Sequence, residues 1–394
     1  MMNIPLRWAA IGVFLFSSAL NYLDRQMFAA LAPGISEEFH LSNEQYGLFI
    51  SAFSIIYALS SPLAGLFIDR VGLDRGIGVC VGVWSLATMA TGWVNGYAGL
   101  MASRAMLGAA QSGGVPAAGK SYATYLPPPE RSLGTALGQV GISIGMMLAP
   151  IVAGFMAPRY GWRSAFVVAG AAGFLWIPIW LFTARRVPKF PVASGAVKVK
   201  VADMLRDKQY WGLIAGVCLG MTLYSLWTNW TTKYLVLVFS LTQQAANERY
   251  AWIPPLCGIA GGLSGGWITM RLARGGMQAH RARMYACGFA SVMALVTAFV
   301  PLANTAGAAT AAIGLSYFFT TWFSVNAYSM PLDIFGAQRA AFAIASLTLA
   351  YGMIQFFISP VIGRVVDQYG FGPVCVALAF MPLAGTAVLK LTER

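Results

Sequence analysis

Histidine is nearly missing from this sequence: His40 and His280 are the only two in 394 residues. A metal centre built on imidazole, or a Ser-His-Asp triad, has little to draw on. Cysteine offers no substitute. Cys80, Cys218, Cys257, Cys287 and Cys375 lie singly in apolar runs with no CxxC spacing, so neither a disulfide framework nor a zinc site is indicated. Charge is scarce as well. Only 10% of the residues are charged while 58% are hydrophobic, against about 25% charged in an ordinary soluble domain. That composition excludes a soluble enzyme with a large core. Acids are rarest, 13 against 26 lysines and arginines, for a net charge of +13. Such an excess serves nucleic acid when gathered into a patch with interleaved aromatics. Here the basic residues fall in short loops. The expectation is a polytopic membrane protein that is not an enzyme, with no cofactor, no metal and no nucleic acid partner.

What is present is apolar length. A bilayer-spanning helix needs about 20 mostly apolar residues, and twelve runs qualify, starting near Trp8, Gln45, Gly76, Tyr97, Ser132, Ser164, Tyr210, Ala251, Arg283, Ala306, Ala340 and Gly372. The first run lacks a small-residue cleavage site and reads as a retained helix. One long polar stretch, 185–208, divides the chain into six-helix bundles over 1–184 and 209–394. With the N-terminus inside, eighteen loop lysines and arginines fall on one side and four on the other. This bias sets both termini in the cytoplasm.

The halves resemble each other. GLFIDRVG (65–72) is answered by GWITMRLA (266–273), Glu130-Arg131 by Gln338-Arg339, and PIVAGFMAPRYGW (150–162) by PVIGRVVDQYGF (360–371), all at an offset of about two hundred residues. Paired six-helix repeats describe a transporter with its site at the midplane.

Against this background NYLDRQ (21–26) stands out, because a charge at the centre of a membrane helix costs roughly 2.5–3.5 kcal/mol. Four cations sit inside expected spans, Arg25, Arg104, Lys120 and Lys233, with Asp24 as the one clearly interior acid. At 1.5 Å per residue, Asp24 lies roughly 24 Å into the first helix and Arg104 roughly 9 Å from the outer end of the fourth, which are similar depths. Arg104 and Gln111, two turns apart, share a face. Lys120 and Lys233 lie near helix ends, where a lysine can snorkel to the interface. Polar and aromatic groups alternate in LWTNWTTKY, which brings forward Trp227, Asn229 and Trp230. Asn326 in WFSVNAYSM is similar.

GLFIDRVGLDR (65–75) resembles the loop signature of the major facilitator superfamily and falls where that signature belongs. NYLDR, EEFHLSNEQYGLFISAF (37–53), RAMLGAAQSGGVPAAGK (104–120) with PPERS after it, and LRDKQYWG (205–212) are similar to the anion:cation symporter family. That family includes bacterial hexuronate and galactonate transporters, sialin and the vesicular glutamate carriers. The resemblance implies an all-α fold of twelve helices in two pseudo-symmetric halves. It also implies uptake of a small organic anion, a sugar acid or other carboxylate, coupled to protons by alternating access in a bacterial inner membrane. By motif, Asp24 is the proton-coupling group, Arg25 and Arg104 hold or gate a carboxylate, and Tyr57 lines the cavity. Gln111 stands where the family commonly has glutamate, and it joins Asn229 and Asn326 among the candidate substrate residues. Gly65, Asp69, Arg70, Gly72 and Arg75 form the conformational gate. The chain is expected to act as a monomer. Because an amide cannot carry a proton, an anion exchanger or uniporter is the alternative function. An organophosphate antiporter is disfavoured by the lack of an arginine inside a second-half span.

Overall fold

The computed structural model describes residues 6–127, 130–189 and 204–393, without the side chains of 132, 136 and 336–341. Most of the expected linker (190–203), Pro128, Pro129 and the side chains of Gln338 and Arg339 therefore lie outside the described residues. Every element within them is helical. The first part of the chain forms α1 (Leu6–Ala30), a short α2 (Ala32–Glu38), α3 (Asn43–Val71), α4 (Leu73–Thr91), α5 (Tyr97–Gln111), α6 (Gly114–Tyr125), α7 (Arg131–Tyr160) and α8 (Trp162–Arg186). The rest forms α9 (Lys208–Phe239), α10 (Ile253–Arg274), α11 (Ala279–Met293) with a 3-10 extension to Leu302, α12 (Ala306–Tyr369), α13 (Phe371–Ala379) and α14 (Met381–Thr392).

Nine helical stretches among the described residues are long and apolar enough to cross a bilayer. With α4, the α5–α6 pair and α10 they make up the twelve crossings expected from the sequence. Two boundaries differ from a simple count of runs. The fourth crossing is broken at Ser112-Gly113 into α5 and α6. A Cβ on Gly113 would lie 2.7 Å from the Cys80 sulfur, so the bare backbone lets α4 come close at the break. The tenth and eleventh crossings, Ala306–Phe335 and Phe342–Tyr369, belong to one continuous helical run.

Two compact units emerge from the packing: Met1–Leu41, Phe49–Ser194 and Leu241–Trp252 form one, and Ser42–Leu48, Gly195–Ser240 and Ile253–Arg394 the other. In the first unit α1 lies against α7 so closely that a Cβ on Gly145 would sit 2.1 Å from the Ala19 carbonyl oxygen. Small residues permit such approach, and dispersion between the backbones stabilises it in lipid, where no hydrophobic drive acts between helices. The core of this unit gathers Phe14, Trp84, Tyr125, Trp176 and Trp180. Each tryptophan of the stacked pair Trp176–Trp180 spends its N–H on a backbone carbonyl, that of Val13 or Asp74, as a buried indole requires.

In the second unit the first turn of α3 is capped by Asp367 of α12, whose carboxylate accepts from the backbone N–H of Asn43 (3.0 Å) and of Glu44 (2.9 Å). A carboxylate there satisfies orphan donors and complements the positive end of the helix dipole. Lys233 is 4% exposed and donates to the Asn43 side chain at 2.6 Å. Lys120, in the first unit, bonds Asp69 (2.7 Å) and the Ile68 carbonyl (3.1 Å). Lys120 is part-exposed and reaches an exposed carboxylate, whereas Lys233 is buried. Each holds an end of α3.

Candidate functional site

Consecutive residues of a helix point about 100° apart, and α1 uses this to send Asp24 and Arg25 to different surroundings. Asp24 is fully buried, with Thr88 of α4 and Arg104 of α5 as its polar and charged neighbours. Arg104 is 2% exposed, with its guanidinium 4.5 Å from the centre of the Phe28 ring. Arg25 turns instead into a box of three rings, 4.6 Å from Tyr22, 4.7 Å from Phe53 and 4.8 Å from Tyr57. Cation–π contacts of this kind are each worth roughly 0.5–2 kcal/mol. They fix the plane of the guanidinium, the property that suits it to a two-point grip on carboxylate.

Gln111 ties the two helices together. Its Nε2 donates to the Asn21 carbonyl at 3.0 Å and its Oε1 accepts a long bond (3.4 Å) from Arg25 Nε. The amide suits both neighbours at once, since one side must donate and the other must accept. A glutamate could do the same only when protonated. Gln111 is thus a permanent stand-in for a protonated acid.

The second unit has a cluster of neutral polar groups of its own. Asn229 donates to the Ser225 carbonyl at 2.9 Å, and the Ser225 hydroxyl accepts from Gln355 at 2.8 Å. Gln355 also bonds the Tyr351 hydroxyl (2.7 Å), and Thr228 pairs with the Tyr317 hydroxyl (2.9 Å). Trp227 and Trp230 are core residues, the first bonded to Ser316 and the second edge-on to Tyr46. Asn326 lies apart from this cluster. It is fully buried, accepts from Thr269 at 2.7 Å and donates to the Trp322 carbonyl at 3.0 Å. That is a joint between α10 and α12.

Of the loop residues, Gly72 has φ +91°, a backbone region glycine enters at no steric cost. Gly65 has only ordinary contact with Pro116. Arg70 and Arg75 are exposed. Asp74, inside the loop signature but not among the expected gate residues, is a hub: it accepts from Tyr125 (2.9 Å) and pairs with Lys189. Asp69 pairs with Lys120, but its side chain is 69% exposed, and such a surface pair adds about 0–1 kcal/mol. Asp69→Asn is therefore expected to leave folding intact and substrate affinity within about twofold, while slowing turnover severalfold if the pair governs exchange between states. A large loss of equilibrium affinity at an unchanged rate would contradict that role.

At the opposite end of the first unit, Glu38 accepts from Arg163 and Trp162. The Arg163 hydrogen bond, opposed by slight burial, holds the Glu38 carboxyl below its ordinary range. The sign follows from linkage: this small stabilisation is complete above the ordinary glutamate range and fades as pH falls through the lowered value.

The residues missed from sequence are Tyr22, Phe53, Thr88, Tyr317, Tyr351 and Gln355. Only Tyr22 carried a signal, one turn before Arg25.

Comparison with known proteins gives this geometry a family. The model of the Major Facilitator Superfamily matches residues 14–348. The chain is 26% identical over 403 residues to the hexuronate transporter of Escherichia coli (strain K12), covering 98% of this chain and 93% of that one. It is 28% identical over 284 residues to the galacturonate transporter of Dickeya chrysanthemi, covering 67% and 82%. Among solved structures, a bacterial homolog of the human lysosomal transporter Spinster, in an inward-facing and occupied conformation, superposes with a TM-score of 0.78 at 18% identity, covering 98% and 95%. The twelve-helix fold, the loop signature and these relatives together show that the chain is a membrane transporter belonging to the Major Facilitator Superfamily.

Proposed function

We propose that this transporter brings a sugar acid, a hexuronate or an aldonate, into a bacterial cell together with a proton by alternating access, with both termini cytoplasmic. The observation that carries the reading is the division of labour on α1. Arg25, planar and boxed by three rings, suits a carboxylate, while Asp24, fully buried beside Arg104, suits a proton. The names of the relatives, hexuronate and galacturonate transporter, support a polyhydroxy carboxylate. So do the hydroxyl and amide groups of Ser225, Asn229, Tyr351 and Gln355, which give and accept hydrogen bonds without charge.

The test is uptake of labelled galacturonate, glucuronate and galactonate by the purified protein in liposomes, with an inward proton gradient imposed or absent. Accumulation that follows the gradient, and is inhibited by sugar acids far better than by short carboxylates, is the expected result. Uptake indifferent to the gradient would leave exchange or uniport, the reading that Gln111 favours, since its amide fixes one position in the protonated pattern. Gln111→Glu distinguishes them further. In a coupled carrier it should steepen the pH dependence of uptake or raise the number of protons moved per anion.

A further inference from the structure

The membrane-spanning helix α8 carries two arginines in its last turn, Arg185 and Arg186. Both are exposed. Several other cations at this end of the first unit have partners: Arg7 pairs with Glu130, Lys120 with Asp69 and Lys189 with Asp74. Arg131 donates to the carbonyls of Ala123 and Leu126. Arg185 and Arg186 enter none of the ion pairs found among the described residues. Arginines at a helix C-terminus complement its dipole and help to orient the segment, but neither role calls for a groove beside them.

A groove is there. It has a volume of about 370 Å³ and is lined by Pro178, Leu181, Phe182, Arg185 and Arg186. Pro178, Leu181 and Arg185 lie on one side of the helix, and Phe182 and Arg186 on the side next to it. The Arg186 guanidinium stands 3.8 Å from the centre of the Phe182 ring. Such a contact occupies the face of the guanidinium and not its N–H donors. Running away from the arginines is an apolar stripe, Leu175, Ile179 and Phe182, respectively 70%, 50% and 57% exposed. Leu175 and Arg186 are roughly 16 Å apart along the helix axis, which is about half of a hydrocarbon core some 30 Å thick. The face is thus one leaflet long, apolar along its length and doubly cationic at its end.

We propose that this groove binds an anionic phospholipid, with the phosphate gripped by Arg185 and Arg186 and the acyl chains laid along Leu175, Ile179 and Phe182. A guanidinium takes two phosphate oxygens at once, and basic residues beside a membrane helix attract anionic headgroups. A zwitterionic headgroup brings its own positive charge to the same two cations and binds less tightly. Assigning the lipid to the inner leaflet rests on the proposed orientation, with both termini cytoplasmic. The site itself does not.

The experiment titrates delipidated full-length protein in detergent with phosphatidylglycerol or phosphatidylcholine and counts bound lipids by native mass spectrometry. In wild type the first phosphatidylglycerol is expected to bind roughly tenfold or more tighter than phosphatidylcholine. Changing both Arg185→Gln and Arg186→Gln should bring the two lipids within about twofold of each other. The control pair, Arg271→Gln with Arg274→Gln, removes the same charge from α10 and should keep the preference. In a second arm, a phosphatidylglycerol bearing a diazirine on its chain should label residues 174–186 of the wild-type protein. An equal loss of preference in both double variants would reduce the effect to net charge and overturn the proposal. So would an unchanged preference in the Arg185→Gln, Arg186→Gln protein, the result expected if residues 190–203 or a second copy of the chain covered the groove. Labelling confined to other helices also overturns it, and that arm needs no variant to fold. Binding read in detergent is independent of orientation and of proton coupling, so failure of either reading leaves this test intact.

Discussion

Arg25→Ala is expected to abolish saturable sugar-acid uptake while yield and thermal stability in detergent stay near wild type. The physical reason lies in what surrounds the guanidinium. Arg25 is only half-buried, and its contacts include the faces of Tyr22, Phe53 and Tyr57 and a long bond to Gln111. The one buried acid among the described residues, Asp24, has Arg104 as its charged neighbour, so removing Arg25 is expected to cost the fold little. Losing two charge-assisted hydrogen bonds to a carboxylate removes roughly 3 kcal/mol or more, which is more than a hundredfold in affinity. Arg25→Lys should recover only a small part, since an ammonium has neither the fork nor the plane that the rings hold in place. Arg104 supplies the contrast. It faces Asp24 with both groups buried, and taking away one partner of a buried charge pair costs roughly 3–5 kcal/mol. Arg104→Ala should therefore lower the melting temperature clearly, and a second change, Asp24→Asn, should restore much of it. Binding of galacturonate to Arg25→Ala with unaltered affinity would remove this arginine from the site.

The second large effect concerns Asp24. With asparagine in its place the protein should still exchange labelled for unlabelled sugar acid, because Arg25 and its box are untouched. Accumulation driven by an inward proton gradient should vanish. The substitution is nearly isosteric, and it makes permanent the neutral state that a proton confers. The measurement is the ratio of internal to external substrate at steady state, which should fall to unity in Asp24→Asn regardless of the gradient. An accumulation ratio that still follows the gradient would mean that the proton travels by another residue.

The fold was legible because bilayer thickness imposes a length: a crossing must be a long apolar run, and the observed helices start within a few residues of the expected ones. The break at Ser112-Gly113 was not legible. It depends on how near Cys80 comes, and that is a distance between segments far apart in the chain. The candidate site was half legible for the same reason. Asp24, Arg25, Arg104 and Gln111 betray themselves as polar residues at an oily depth. Which of them face one another does not, because helical phase fixes direction only relative to neighbours the sequence does not display. Adjacent in NYLDR, Asp24 and Arg25 diverge in space. Asn326 looked like Asn229 on paper, yet its hydrogen bonds close on α10. Tyr351 and Gln355 sit in an unremarkable apolar run and gain meaning only from Ser225.

Asp24 is the single buried acid among the described residues, and Gln111 holds the place of a second one. A carrier with one exchangeable proton that moves a monovalent anion transfers no net charge in a full turn. Its concentrating power then has a ceiling set by acidity alone: each pH unit is worth about 1.36 kcal/mol and supports a tenfold substrate ratio. The membrane voltage, worth about 2.3 kcal/mol per charge at 100 mV, contributes nothing. Under the proposed coupling of one proton to one anion, a cell using this protein would scavenge sugar acids in acidic surroundings and lose that ability near neutrality, however well energised its membrane.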